Sequence, residues 1–168
     1  MKLTPWTNVV VASVIALGAT TIISQPSQAR HEEGFYCDTA GNKPKTVFLN
    51  HRGDEELWIS WTSDYFKQAG YDPLRRCRDV SNRLERYRQN RQLKFITTGR
   101  MNKQNVICTA DRSDGECENL ILTLKAGEDP VRALKDIFPW YSETGSSDDG
   151  GDRTTHLDVR DRLGIPKE

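Results

Sequence analysis

Residues 72–90 read DPLRRCRDVSNRLERYRQN, from Asp72 to Asn90. Leu74, Cys77, Val80, Leu84 and Tyr87 recur at spacings of three and four, which puts them on one stripe of an α-helix. Asp72 suits the N-cap, where a side-chain oxygen accepts from a backbone N–H of the first turn. Pro73 suits the first helical position, because the N–H it lacks would have no partner there. The residue before a proline is pushed to extended angles, which an N-cap adopts in any case. The helix is expected to stop near Gln89 and Asn90.

On both sides of this helix the apolar period changes to two. Upstream, Phe35-Tyr36-Cys37 and Thr46–Asn50 read as strands, separated by the turn-formers Ala40–Pro44. After the loop His51–Asp54, Glu56–Trp61 follows with Leu57, Ile59 and Trp61 on one face. Trp61 belongs to the core; Trp58, on the other face, lies either under a helix or exposed. Ser63–Ala69 reads as a short helix stopped by Gly70. Downstream, Leu93, Phe95 and Thr97 alternate, Met101–Gln104 makes a turn, and Val106–Ala110 returns. Leu120–Leu124 is apolar almost throughout, as a central strand is. Asp129-Pro130 repeats the cap-and-proline start, with Val131, Leu134, Ile137 and Phe138 at helical spacing and Pro139 as the stop. The pattern predicts a single α+β domain: an antiparallel sheet of about five or six strands with two or three helices packed on it.

The chain ends differ from this middle. Lys2 gives a basic start, Val9–Ile23 is uncharged and mostly apolar, and Ser27-Gln28-Ala29 is a small-x-small site before the charged Arg30–Glu33. This is the pattern of a cleaved secretory signal peptide, residues 1–29. The apolar run is shorter than the roughly 20 residues that span a bilayer. With no Arg-Arg pair ahead of it, the general secretory route is expected. Residues 30–34 form a linker, 35–141 the domain, and 142–168 an acidic, Gly/Ser/Asp-rich tail expected to be disordered. The mature chain, about 140 residues, is one domain in size and can form a real core.

The full chain carries 24 Lys and Arg against 24 Asp and Glu. Lys2 is the only charge before Arg30, so the mature net charge is about −1, which argues against bulk capture of nucleic acid. The charge is nevertheless uneven. Arg75, Arg76, Arg78, Arg83, Arg86, Arg88, Arg91, Lys94 and Arg100 fall between Pro73 and Arg100, opposed only by Asp79 and Glu85. On a helical wheel Arg75, Arg78, Arg83 and Arg86 lie opposite the apolar stripe. A solvated face has that appearance, and so does a contact surface for an anionic membrane or a protein partner.

All four cysteines, Cys37, Cys77, Cys108 and Cys117, lie beyond the signal peptide, so two disulfides are expected. Four cysteines allow three pairings. Cys77 faces the sheet from the helical stripe, which makes Cys37 in the first strand its natural partner. Cys108 and Cys117 flank one loop. The chain-entropy model assigns about 4 kcal/mol to the longer closed loop and about 2.7 kcal/mol to the shorter. Metal binding and redox catalysis fit poorly: there is no Cys-x-x-Cys and no His at ligand spacing from a Cys.

No catalytic constellation is visible. His31, His51 and His156 are scattered, and a general base needs a partner within reach. Asp111, Asp114, Glu116 and Glu118 read as a solvated acidic loop, and Ser146–Asp152 lacks the spaced ligands of a calcium loop. No metal site and no cofactor is expected.

Several motifs do resemble a known family. They are Ile59-Ser60-Trp61-Thr62-Ser63-Asp64-Tyr65-Phe66; Gly70-Tyr71-Asp72-Pro73; Arg76-Cys77; Val80-Ser81; Phe95–Asn102; Val106–Ala110; Gly115-Glu116-Cys117; Leu122-Thr123-Leu124; and Asp129-Pro130. In order and spacing they resemble the cyanobacterial circadian oscillating protein family over about Phe35–Trp140. The resemblance implies an exported, membrane-associated protein, in the periplasm or thylakoid lumen or outside the cell. It supplies no catalytic residue, since the matching positions are glycines, cysteines, caps and aromatics. The expected function is therefore that of an exported, disulfide-stabilised, non-enzymatic protein held peripherally on a membrane or a protein partner. The alternative is a hydrolase or small-ligand binder with a pocket converging on His51, Trp58 or Arg100. A protease inhibitor would need Asp111–Glu116 as its rigid loop.

Overall fold

A computed structural model describes residues 32–138, 140–141 and 156–167. The expected signal peptide and residues 142–155 of the expected tail lie outside the described residues. The elements run β1 (Gly34–Asp38), β2 (Lys45–Leu49), β3 (Glu55–Ser60), α1 (Pro73–Gln89), β4 (Phe95–Met101), β5 (Gln104–Ala110), β6 (Leu120–Thr123), α2 (Pro130–Ile137) and β7 (Leu157–Asp158). A single 3-10 turn, Lys67–Ala69, stands where a short helix was expected.

The start of α1 follows the local chemistry. Asp72 is extended and its carboxylate accepts from Arg75 N at 2.8 Å, with Pro73 in the first turn. Past Asn90 the chain closes with Arg91 N to Arg88 O and Gln92 N to Tyr87 O, a Schellman motif. Its left-handed position, usually glycine, is held by Arg91 at φ 58°. The start of α2 repeats that of α1, with the Asp129 carboxylate accepting from Arg132 N at 2.8 Å.

All strand pairing is antiparallel. The strands expected in one sheet divide between two, ordered β1-β2-β3 and β6-β5-β4-β7. Each helix touches both sheets: α1 packs on β1, β2 and β6, and α2 on β3, β4 and β5. Between them a continuous core runs from Phe35 to Leu163. The α1 stripe contributes Cys77, Val80 and Leu84, all nearly inaccessible, together with Ser81. Buried Ser81 donates to Thr46 Oγ1 at 3.0 Å, which also accepts from Trp61 Nε1 at 2.9 Å. These bonds satisfy polar groups that would be costly to bury alone.

Trp58 is fully buried, and a bulge explains it. Val47 pairs with Leu57 and Thr46 with Ile59, so Trp58 is the extra residue. A bulge re-aims the side chains around it. Sequence neighbours Trp58 and Ile59 are thus both buried while Leu57 is 39% exposed. Trp58 packs against Phe35, Phe48, Phe138 and Trp140 with ring centroids 4.6–6.2 Å away.

The expectation of a disordered tail from 142 to 168 is corrected for its last part. Leu157 and Asp158 form β7 against Ile96 and Phe95, and Val159 N donates to Lys94 O at 3.0 Å. Leu157, Val159 and Leu163 are buried. Arg162 pairs with Glu56 of β3 and stacks over Trp140. The expected domain end at 141 therefore excludes a strand of the core. The few apolar residues of this segment suffice because they fill a place that the rest of the fold prepares.

Candidate functional site

Two disulfides fix the frame around α1. Cys37 of β1 is bonded to Cys77 of α1, and Cys108 of β5 to Cys117, each pair with Cα atoms 5.5 Å apart. Both pairings are those expected, and no described cysteine is free. Gly99 of β4 lies directly beneath the second bond. A Cβ there would sit 2.5 Å from Cys117 Cβ and 2.6 Å from Cys117 Sγ.

An ion-pair clamp holds α1 against β1. The Glu85 carboxylate accepts from Phe35 N at 2.9 Å, from Arg88 Nε and Nη2 at 2.9 and 2.8 Å, and from Gln89 at 2.7 Å. Burial pulls the Glu85 pKa up, but these hydrogen bonds together outweigh it and leave the pKa below its ordinary value. Arg88 also donates to Glu33 O at 3.0 Å. Arg88 and Glu85 thus serve the fold.

The arginines singled out in the sequence separate. Arg75, Arg78 and Arg86 are exposed and form one ridge of α1 with Asn82. Arg75 donates to Gly70 O at 3.0 Å and lies 3.8 Å from Asp79. Arg78 and Arg86 make no ion pair among the described residues. Arg83 is half-buried and donates to the Ile121 carbonyl of β6 at 3.0 Å. Tyr87 does the same to Leu120 at 2.9 Å. These two side chains cover part of the free edge of β6, where unpaired backbone groups would invite another strand.

Of His51, Trp58 and Arg100, any of which could centre a pocket, only Arg100 borders a hollow among the described residues, of about 240 Å³ and shared with Lys103 and Lys125. His51 is exposed in the β2–β3 turn, Trp58 is enclosed in the aromatic cluster, and Arg100 is exposed beside Lys103, whose carbonyl it approaches at 3.3 Å. The loop Asp111–Glu116 is closed by the Cys108–Cys117 bond. It is further held by His156, whose Nε2 lies 2.9 Å from Gly115 O, so this histidine is a structural contact. Tyr36 donates to Glu55 at 2.7 Å. Burial, with that carboxylate beside it, pushes its pKa up to about 12. Among the described residues, no group of three or more His, Cys, Asp or Glu side chains is placed to hold a metal ion. No described helix is long and apolar enough to cross a membrane.

A groove forms at a place that no sequence motif marks. Between α1, β6 and the segment 63–71 lies a cavity of about 390 Å³, walled by Phe66, Tyr71, Val80 and Leu122 and reached by Arg76 and Arg83. A second hollow of about 270 Å³ shares Phe66, Arg76, Leu122 and Thr123 with it. Arg76 stands between the two. Its guanidinium carbon is 4.8 Å from the Trp61 ring centroid and 5.0 Å from that of Phe66, and Nη1 donates to Ser63 O at 3.2 Å. In sequence Arg76 is one basic residue among the nine between Pro73 and Arg100. The available signal was its position one turn before buried Val80, on the flank of the apolar stripe.

The comparisons with known proteins agree with this frame. No curated protein and no solved structure matches the chain. A model of the family described as Circadian oscillating protein COP23 matches residues 34–163. The match starts with β1 and includes Leu163, so it covers both sheets, both helices, all four cysteines and the C-terminal strand. On that extent, the chain belongs to the circadian oscillating protein COP23 family.

Proposed function

We propose that this chain is an exported, non-enzymatic protein whose α1 ridge rests on an anionic membrane surface. The observation that carries the reading is the exposure of Arg75, Arg78 and Arg86 along one side of a helix whose other side is pinned by a disulfide. A basic side chain near an anionic leaflet contributes about 1 kcal/mol, so the three together favour the surface by about 3 kcal/mol, roughly a 150-fold partition. Arg83 adds less, because its guanidinium already serves Ile121. The two disulfides support an oxidising, non-cytoplasmic setting, and the N-terminal pattern supports export. With no membrane-crossing helix among the described residues, attachment through a charged surface is the economical route.

Co-sedimentation with vesicles of anionic and of zwitterionic lipid tests the proposal. The oxidised mature chain is expected to pellet with the anionic vesicles only. The R78E/R86E variant is expected to stay in the supernatant. Equal pelleting of wild type and variant would defeat the ridge as the contact surface. A mature mass that still includes residues 1–29 would defeat export by signal cleavage.

A further inference from the structure

We propose that the groove between α1, β6 and the segment 63–71 binds a small amphiphilic organic anion, its acid group on Arg76 and its apolar body against Phe66, Tyr71 and Leu122. The site is distinct from the exposed ridge, since neither Arg78 nor Arg86 borders it.

Arg76 supplies the hydrogen-bond donors of this site. A guanidinium has five N–H donors in a rigid fork. Trp61 and Phe66 fix its plane and the Ser63 carbonyl takes one donor. The rest of the head borders the two hollows, and among the described residues it makes no ion pair. The acids nearby are engaged: Asp79 faces Arg75 and Asp136 faces Arg132, each at 3.8 Å, and Glu128 accepts from Lys125 N at 3.2 Å. Burial lowers the Arg76 pKa, with Glu128 only partly offsetting it. The charge is therefore under-compensated where it stands, and a carboxylate or sulfonate would meet the fork in two parallel hydrogen bonds. Arg83, two turns further along the same helix, adds a second positive charge beside the Ile121 carbonyl that it serves. The rest of the lining is mainly aromatic and aliphatic, with Gln104, Thr123 and Asp79, the last paired with Arg75, also bordering it, so a ligand that is charged at one end and apolar at the other fits both. A volume of about 390 Å³ is within the range of small-ligand pockets.

The probe is 8-anilinonaphthalene-1-sulfonate, an amphiphilic anion, compared with its neutral relative N-phenyl-1-naphthylamine. Both are titrated by fluorescence into the oxidised mature chain well below its melting temperature. The sulfonate is expected to saturate one site. R76Q is expected to weaken it at least 10-fold while changing the neutral dye less than 2-fold, and R76K to fall between. Ala69 is exposed at the groove mouth, so A69W blocks entry without removing a buried group and is expected to weaken both dyes. If R76Q melts early, A69W decides alone. R78E/R86E is expected to leave the sulfonate affinity unchanged, even if vesicle binding is lost. No saturable binding to wild type, or sulfonate affinity indifferent to a folded R76Q or to A69W, would overturn the groove site. A loss in R78E/R86E would place the dye on the ridge and overturn it as well.

Discussion

At Gly99 a hydrogen is all that fits between β4 and the Cys108–Cys117 bond. Gly99→Ala is expected to cost about 1–3 kcal/mol through overpacking, read as a lower urea midpoint with an unchanged slope. An unaltered midpoint would mean that the disulfide does not press on the strand. Glu85 is the second telling residue. Its folded pKa lies below the ordinary value, so its contribution is fully present above the unfolded pKa, about 4.3. That contribution is lost as pH falls through the lowered folded pKa. The melting temperature of wild type is therefore expected to exceed that of E85Q most at pH 6–7, and the gap to close below about pH 4. A gap constant from pH 7 to 3 would contradict the clamp. The cysteine pairing was legible because it follows from which face each element buries. The clamp was not, since the N–H that Glu85 accepts lies fifty residues away in sequence.

Among elements, the helices were the most legible. Asp72-Pro73 and Asp129-Pro130 state their starts within three residues, and both caps form as expected. The Met101–Gln104 turn was legible too. Its centre holds Asn102 at φ 49° and Lys103 at φ 65°, the left-handed pair of a two-residue hairpin turn. Lys pays a steric cost there that glycine does not. K103G is therefore expected to stabilise the chain by about 0.5 kcal/mol after its extra unfolded-state entropy is counted. A destabilised K103G in thermal melts would refute that geometry. The bulge at Trp58 was hidden, because an extra residue in one strand shows only against its partner strand. The face of α1 was half legible. The wheel separates charge from core, but it cannot show that Arg83 turns to a β6 carbonyl or that Arg76 enters between two rings.

At the scale of the molecule, two small sheets hold together because each helix bridges them and the C-terminal segment closes the far edge. That edge was misjudged in sequence: β7 has two residues, and its partner β4 lies some sixty positions earlier, across a Gly/Ser/Asp-rich stretch. Burying an apolar side chain contributes about 1.5–3 kcal/mol, so Leu157, Val159 and Leu163 together account for much of a typical domain's stability of about 5–15 kcal/mol. A chain ended at residue 155 is expected to lose its cooperative thermal transition, or to melt far lower. A melt matching the full chain would contradict the role of β7. The ridge of α1 exposes Arg75, Arg78 and Arg86, and the physical signature of a contact through it is screening by salt. The most direct measurement is the affinity of the oxidised mature chain for anionic vesicles between 50 and 500 mM salt, beside R78E/R86E. An electrostatic ridge predicts affinity that falls steeply with salt in wild type and is at least 10-fold weaker in the variant at low salt. Binding that is indifferent to both salt and charge reversal would contradict it.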